Sequence, residues 1–215
     1  MPFLYIVATP IGNLQDITLR ALDVLKNVDI VVAEDTRVIL KLLNHFGIKK
    51  PLFSYHKFSQ EIAIQRIKEF LGEGKNLALV SDAGTPAISD PGSRLVDSVR
   101  RELPDVKIVP IPGASAITTA LSFAGVNADA FTFLGFPPHK KGRTKFFQKI
   151  KAIEIKPIVL YESTHRLIKT LNELKNLLGG ESVILVAKEL TKIYEELYSG
   201  KIDDAMNYFQ GDKIR

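Results

Sequence analysis

Along the first half of the chain, apolar and polar positions alternate between two patterns. Short apolar runs at Phe3–Ala8, Asp29–Ala33, Leu52–Tyr55, Leu77–Ser81 and Val106–Ile111 are rich in Val, Ile, Leu and Tyr and too short for helices, which predicts five strands. The stretches between them, Thr18–Val28, Thr36–Phe46, Gln60–Leu71 and Ser93–Leu103, place apolar residues at helical spacing. Asp16, Asp35 and Ser59 are positioned to cap the first three of these helices, and Gly47 to close the second. Strands alternating with helices of this length predict a largely parallel sheet covered on both faces.

The pattern loosens after Pro110–Gly113. A helix over Ser115–Phe123 precedes a strand at Phe131–Leu134, a polar loop at 136–144 and a basic helix over Thr144–Ile153. Pro157–Tyr161, Ser182–Lys188 and Tyr194–Ser199 read as further strands, and Asp203–Phe209 as a last short helix. Leu167, Leu171, Leu174 and Leu178 mark one face of a helix that Gly179 and Gly180 end. The fold class predicted is α/β with two α/β domains. The first, 1–112, is a mostly parallel five-stranded sheet with helices on both faces, and the second, 113–215, is a mixed sheet with helices.

Composition narrows the chemistry. The absence of cysteine excludes disulfides, thiolate catalysis and cysteine-bound zinc. The four histidines, His45, His56, His139 and His165, show no metal-ligand spacing, so no metal site is expected. His165 alone draws notice, just beyond a strand. No apolar run is long enough to span a bilayer and the start lacks a basic leader region, which points to a cytoplasmic protein. Charge is uneven: 1–115 carries a net +1 and 116–215 a net +4, while 139–156 alone has seven bases against Glu154. A polyanionic partner and a face of lysines kept for solubility both account for that segment.

In parallel sheets, ligands bind beyond the carboxyl ends of the strands, and the unusual residues of this chain fall there. The turn Thr9–Leu14 follows the first strand, Glu34–Arg37 the second, Ser81–Gly92 the fourth and Pro112–Ala116 the fifth. A turn, a capped salt-linked helix start and a cap explain three of these without function. The loop 81–92 is longer than an ordinary strand-to-helix connection, and its small residues and prolines suit close, stiff approach to a ligand. No glycine-rich dinucleotide fingerprint follows the first strand, and no phosphate-binding P-loop motif is present.

Seven stretches together resemble the tetrapyrrole-methylase-like (class III) S-adenosylmethionine methyltransferases. They are Tyr5–Leu14 (YIVATPIGNL), Ala33–Arg37 (AEDTR), Leu79–Gly92 (LVSDAGTPAISDPG), Pro110–Ala116 (PIPGASA), Phe133–Pro138 (FLGFPP), Tyr161–Arg166 (YESTHR) and Lys188–Glu195 (KELTKIYE). Within that family the chain is most similar to the bacterial enzymes that methylate a cytidine 2′-hydroxyl of 16S ribosomal RNA. Two positions depart from the family pattern, Thr164 where proline is usual and Lys188 where arginine is usual. The family also continues past Lys213–Arg215 into a closing strand.

The resemblance implies S-adenosylmethionine in a cleft between the two domains, held by Pro10, Asp82, Thr85, Ala87, Ile88, Ser115 and Ala116 of the first and by Tyr161 and Leu190 of the second. Glu34, Asp35 and Arg37 are expected to face the acceptor, a carboxylate taking the hydroxyl proton and Arg37 gripping a phosphate, with Lys188 and Glu189 approaching the same place. Lys140, Lys141, Arg143 and Lys145 are expected to bind 16S ribosomal RNA or the small ribosomal subunit. The resemblance further suggests a homodimer formed through the first domain, with Pro51–Tyr55, Ile62, Ile67 and Phe70 supplying apolar area. Methylation of a small tetrapyrrole-like molecule, or noncatalytic RNA binding on the same fold, are the alternative readings.

Overall fold

A computed structural model describes residues 1–56 and 60–210, so Ser59 and Lys213–Arg215 lie outside the described residues. The chain divides into two compact units, Met1–Ala116 and Ile117–Arg215.

The first unit holds strands β1 (Phe3–Val7), β2 (Ile30–Ala33), β3 (Leu52–Ser54), β4 (Leu77–Val80) and β5 (Lys107–Ile111) in one sheet of order β3-β2-β4-β1-β5. Every pairing is parallel. The central strands β2 and β4 are buried at all positions, as expected of strands covered on both faces. Pro110 is tolerated in β5 because that strand is an edge, where one side of the backbone needs no partner.

Helices α1 (Leu19–Asn27) and α2 (Thr36–His45) cover one face, packing Ala21, Leu25, Ile39 and Leu43 on Val7, Val31 and Val80. Helices α3 (Gln60–Gly72) and α4 (Gly92–Glu102) cover the other, packing Ala63, Ile67, Leu95 and Val99 on Leu4, Val32 and Leu79. The five strands and four helices stand where the pattern predicts them.

The caps are partly redistributed. Asp35 caps α2, its carboxylate accepting from the Arg37 amide, and Gly47 closes that helix at φ +65°. The Ile48 amide reaches back to the Leu43 carbonyl and the Gly47 amide to that of Asn44, the bond pair of a Schellman ending. Asp16 does not cap α1: it belongs to a short 3-10 turn capped by Asn13, and the Thr18 hydroxyl oxygen accepts from the Ala21 amide instead. The apolar residues expected to build a dimer surface also separate. Ile67 and Tyr55 are core, and Phe70 packs edge-on against Phe53, whereas Ile62 is exposed.

The second unit contains α5 (Ala116–Phe123, whose first residue closes the first unit), β6 (Thr132–Phe133), α6 (Arg143–Lys151), β7 (Ile158–Val159), α7 (Leu167–Leu178), β8 (Val183–Lys188), β9 (Glu196–Lys201) and α8 (Ile202–Tyr208). Both strand directions of the expected mixed sheet occur, but in two separate ladders, β6-β7 parallel and β8-β9 antiparallel. Leu171 of α7, Ala205 of α8 and Phe209 form a core under Ile184 and Val186. No helix among the described residues is long and apolar enough to cross a membrane.

Candidate active site

The order β3-β2-β4-β1-β5 carries the connection after β1 toward one edge and the connection after β4 toward the other, so a switch point opens beyond the carboxyl ends of β1 and β4. The loops there are stitched together. Thr9 and Gly84 exchange amide–carbonyl hydrogen bonds at 3.0 Å each. The Thr9 hydroxyl donates to the Ser81 carbonyl at 3.0 Å, and the Ser81 hydroxyl to the Gly84 carbonyl at 3.0 Å. The Thr85 hydroxyl donates to the Ala114 carbonyl at 3.3 Å, tying in the loop after β5. Gly113 is required at that join, since a Cβ there would stand 2.9 Å from the Ala8 Cβ.

The segment 87–92 is held in a costly shape. Ala87 and Ser89 adopt φ +70° and +65°, a region that side-chain-bearing residues avoid at roughly 1–3 kcal/mol each. The half-buried Asp90 carboxylate fixes them, accepting from the Ala87 amide at 2.9 Å and from the Gly92 amide at 2.7 Å. This leaves Ile88, an expected cofactor contact, 46% exposed between two left-handed residues. Pro10 is buried, and Thr85, Ala87, Ser115 and Ala116 are half-buried.

The loop after β2 joins the same set, because the Asp35 amide donates to the Asp82 carboxylate at 3.1 Å. Glu34 and Asp35 then take different parts. Asp35 is committed to α2 and to Arg37, whose Nη2 lies 2.6 Å and Nε 2.9 Å from its oxygens. The Arg37 side-chain hydrogen bond, with its amide bond and charge, holds the Asp35 pKa down at about 2. That pair engages the Nε and Nη2 edge of the Arg37 guanidinium, and the other edge, Nη1 with the second Nη2 hydrogen, is turned away from it on a side chain that is 87% exposed.

Glu34 shares with Tyr55, Ser81 and Asp90 a cavity of about 10 Å³, room for one water. Burial first, then the Asp82 and Asp90 charges, raise its pKa, against a smaller opposing effect of His56. Asp90 is itself raised, by burial and by Asp82, although its two amide donors act the other way. Among the described residues, the switch point therefore gathers three carboxylates, Glu34, Asp82 and Asp90, whose mutual repulsion outweighs the opposing charge of His56 at Glu34.

Beside it runs a groove of about 240 Å³ between the Thr9–Leu14 turn and α2. Pro10, Ile11, Leu14, Val38 and Leu42 give it apolar walls, and Asp82 and Lys41 give it polar ends.

The second unit, taken by itself, holds the remaining expected residues. Tyr161 is half-buried and stacks edge-on with Phe133 at 4.9 Å and tilted with Phe136 at 5.2 Å. Leu190 follows β8, flanked by Glu189 and Thr191 at positive φ. Lys188 is ion-paired with Glu196 and Glu189 with Lys192. His165 is exposed on a short 3-10 turn.

Lys140, Lys141 and Lys145 are exposed as expected, but Arg143 is a correction. It is 4% exposed and buried under α7, forked onto Glu173 with Nη2 at 2.6 Å and donating to Thr170 at 2.6 Å. It leaves the RNA-facing set because its donors are consumed inside the fold.

The sequence marks the Thr9–Leu14 and Ser81–Gly92 loops as candidates but gives Thr9, Ser81, Asp90 and Tyr55 no individual part in the site. Asp90 carried a usable signal, a carboxylate two residues ahead of a helix start. Tyr55, whose hydroxyl donates to the Pro91 carbonyl at 3.0 Å, carried only its place at the end of β3.

Residues 3–206 match the family described as Tetrapyrrole (Corrin/Porphyrin) Methylases. The chain is 45% identical over 213 residues to the Ribosomal RNA small subunit methyltransferase I of Pasteurella multocida, covering 99% of this chain and 75% of that protein. It is 44% identical over 210 residues to the protein of the same name from Thermotoga maritima, covering 98% and 93%. Among solved structures, a cobalt precorrin-4 methyltransferase aligns with TM-score 0.69 at 21% identity, covering 99% of this chain and 91% of that one. A diphthine synthase aligns with TM-score 0.73 at 16% identity, covering 95% and 84%. At those identities the two structures speak for the fold alone.

Proposed function

The chain belongs to the tetrapyrrole methylase family, and from that premise we propose that it is an S-adenosylmethionine-dependent methyltransferase acting on a cytidine 2′-hydroxyl of 16S ribosomal RNA. The observation that carries this reading is its likeness, across nearly all its residues, to relatives named for small-subunit ribosomal RNA. The switch-point loops fit the donor. Exposed Ile88 and the small residues around it suit an adenine face, and the excess of carboxylate at Glu34, Asp82 and Asp90 suits a sulfonium cation.

When bound, S-adenosylmethionine supplies an electrophilic methyl group on a sulfur that leaves as a neutral thioether. A ribose hydroxyl is a poor nucleophile until a base receives its proton, and Glu34 is the group suited to do so. Its raised pKa brings a carboxylate closer to the basicity that proton transfer at neutral pH favours. Asp35, held near pKa 2 by Arg37, is too weak a base and instead fixes the start of α2. The groove beside α2 is slightly smaller than a typical small-molecule pocket and suits part of a nucleotide. Lys140, Lys141 and Lys145 supply phosphate contacts. We place the protein in the cytoplasm, acting on the small ribosomal subunit or its RNA as a homodimer. A monomer in sedimentation at micromolar concentration would remove the dimer.

The deciding experiment incubates the protein with labelled S-adenosylmethionine and small subunits from cells lacking the gene, then analyses nucleosides by mass spectrometry. The expected product is 2′-O-methylcytidine. Methylation of a tetrapyrrole instead, or RNA binding without donor binding, would overturn the reading.

A further inference from the structure

In the second unit, the stretch Tyr161–Arg166 builds an ionic cluster that none of the chemistry above uses. Glu162 receives Arg166 Nη2 at 2.6 Å and the Thr170 hydroxyl at 2.6 Å, and lies 3.6 Å from Arg143 Nη1. Glu173 takes the other edge of Arg143. Two guanidiniums and two carboxylates thus balance in charge, and Arg143 and Glu162 are nearly buried, at 4% and 9% side-chain exposure. Such a cluster is weak evidence for stability, because desolvation consumes much of the attraction.

What distinguishes it is where its spare donors go. Arg166 Nη1 donates to the Pro137 carbonyl at 3.0 Å, and Arg143 Nη1 to the Pro138 carbonyl at 3.0 Å. Consecutive carbonyls of a stiff Pro-Pro segment are therefore clamped from two different elements. The chain immediately beyond the clamp is His139–Lys140–Lys141, all exposed, followed by Gly142 at φ +86°, which turns the backbone into α6. On α6 the residues Arg143, Phe147 and Ile150 face inward, so Lys145 and Lys149 lie on the opposite side, one helical turn or about 6 Å apart. Among the described residues, none of Lys140, Lys141, Lys145 and Lys149 has an acidic partner within ion-pair distance. A clamp of fully committed charges beneath a row of uncommitted ones is the arrangement a rigid phosphate-binding surface needs.

We propose that Arg143 and Arg166 are positioning residues for nucleic-acid binding. By closing on the Pro137 and Pro138 carbonyls they fix the turn that displays Lys140 and Lys141 beside the Lys145–Lys149 side of α6, and this lysine row, Lys149 included, docks the sugar–phosphate backbone. The inference rests on the RNA reading above and adds to it a named surface and the device that holds it.

The test measures binding of a small-subunit RNA fragment against salt for the parent, Lys149→Gln, Arg166→Gln and Arg166→Lys, with S-adenosylhomocysteine affinity as the control. Lys149→Gln alters an exposed side chain and should flatten the log–log salt slope by about 0.7–0.9. Arg166→Gln should raise the RNA Kd severalfold and flatten the slope as well, although the charge it removes is mostly buried and already paired with Glu162, while affinity for S-adenosylhomocysteine stays at the parent value. Arg166→Lys keeps the charge without the fork and should fall between the two, which preserves the test if Arg166→Gln does not fold. A purely structural role predicts a lower melting temperature with an unchanged RNA Kd and slope well below it, and that result would overturn the proposal. An unchanged slope for Lys149→Gln would overturn it equally. If the parent bound no RNA, the functional reading would fall and this inference with it; if the parent binds and the variants match it, this inference falls alone.

Discussion

Gly92 is where a single methyl group should be felt most at the donor site. Built on the existing backbone, a Cβ there would stand 2.8 Å from Asp90 Oδ1, 3.0 Å from the Ala87 amide nitrogen and 3.1 Å from Leu79 Cδ2. None of the three yields easily. Leu79 is 2% exposed in the core, and Ala87 and Asp90 are bonded to each other. If Asp90 moved away, two amides would lose a charged acceptor, worth about 1.5–3 kcal/mol each. A small backbone shift is cheaper, at the ~1–3 kcal/mol typical of overpacking. Alanine returns at most about 1 kcal/mol of helix propensity. The net expectation for Gly92→Ala is a loss of about 1–2 kcal/mol, or a melting temperature lower by roughly 2–8 °C. Because either route displaces Ala87, affinity for S-adenosylhomocysteine should fall about tenfold. Gly72, at the end of α3, is the control: a Cβ there meets nothing within 4 Å. Gly72→Ala should therefore be neutral, or stabilising by up to about 1 kcal/mol, and leave binding alone. Thermal unfolding and calorimetric titration of both variants decide the matter. A Gly92→Ala protein indistinguishable from Gly72→Ala in both assays would show that the 87–92 segment is not shaped by this packing and does not hold the donor.

Glu34→Gln should lower kcat by about 10²–10⁴ with little change in donor affinity, while Asp35→Asn costs much less; equal effects in quench-flow methylation would return the proton to Asp35. The acid limb of the kcat profile should lie above the ordinary glutamate range, and Asp90→Asn, which keeps an acceptor oxygen but removes a charge, should move it toward lower pH. Because the Glu34 pKa is raised in the fold, its contribution to stability is full below the unfolded value near 4.5 and is lost as pH rises through the folded value. Glu34→Gln should therefore melt above the parent at neutral pH, and a lower melting temperature there would contradict the burial argument. Asp35 has the opposite sign: its contribution is present above the unfolded value of 3.8 and is lost as pH falls through about 2, so Asp35→Asn should be less stable than the parent at neutral pH. Arg143→Gln should cost about 3–5 kcal/mol in denaturant unfolding, against less than about 0.5 for Lys145→Gln, since only the former removes a nearly buried charge, taking the partner from Glu173 and leaving Glu162 to Arg166 alone.

The parallel sheet was legible because each of its strands is a short apolar run set off by amphipathic helices, and the buried pattern of β2 and β4 follows from cover on both faces. The second unit was legible in its elements and less so in its pairing, because β6 and β7 pair over two residues each and no hydrophobic alternation distinguishes so short a ladder from an irregular segment. At the site, strand-end logic brought Glu34, Asp82 and the 81–92 loop to one place. It could not divide labour between Glu34 and Asp35. Adjacent carboxylates in one loop look alike in a sequence, and only the direction of the Arg37 fork separates a committed acid from an available one.

Arg143 shows most clearly what the pattern contained and how charge obscured it. Counted with its neighbours, it is one base among seven between 139 and 156, and the count alone assigns it to the surface. Read by helical spacing, it stands at i relative to Phe147 at i+4 and Ile150 at i+7, the inward stripe of α6. The two readings conflict at this residue alone. A charge on an apolar stripe is stable only if it finds partners, which requires carboxylates on a neighbouring element. Glu162 and Glu173 lie on opposite sides of Leu167 and Leu171, the apolar residues of the element that α6 packs against. A base on a buried stripe, together with two acids bracketing the facing one, therefore predicts an internal ion cluster from sequence. The same rule leaves Lys145 and Lys149, on the polar side of that helix, free for a partner outside the chain.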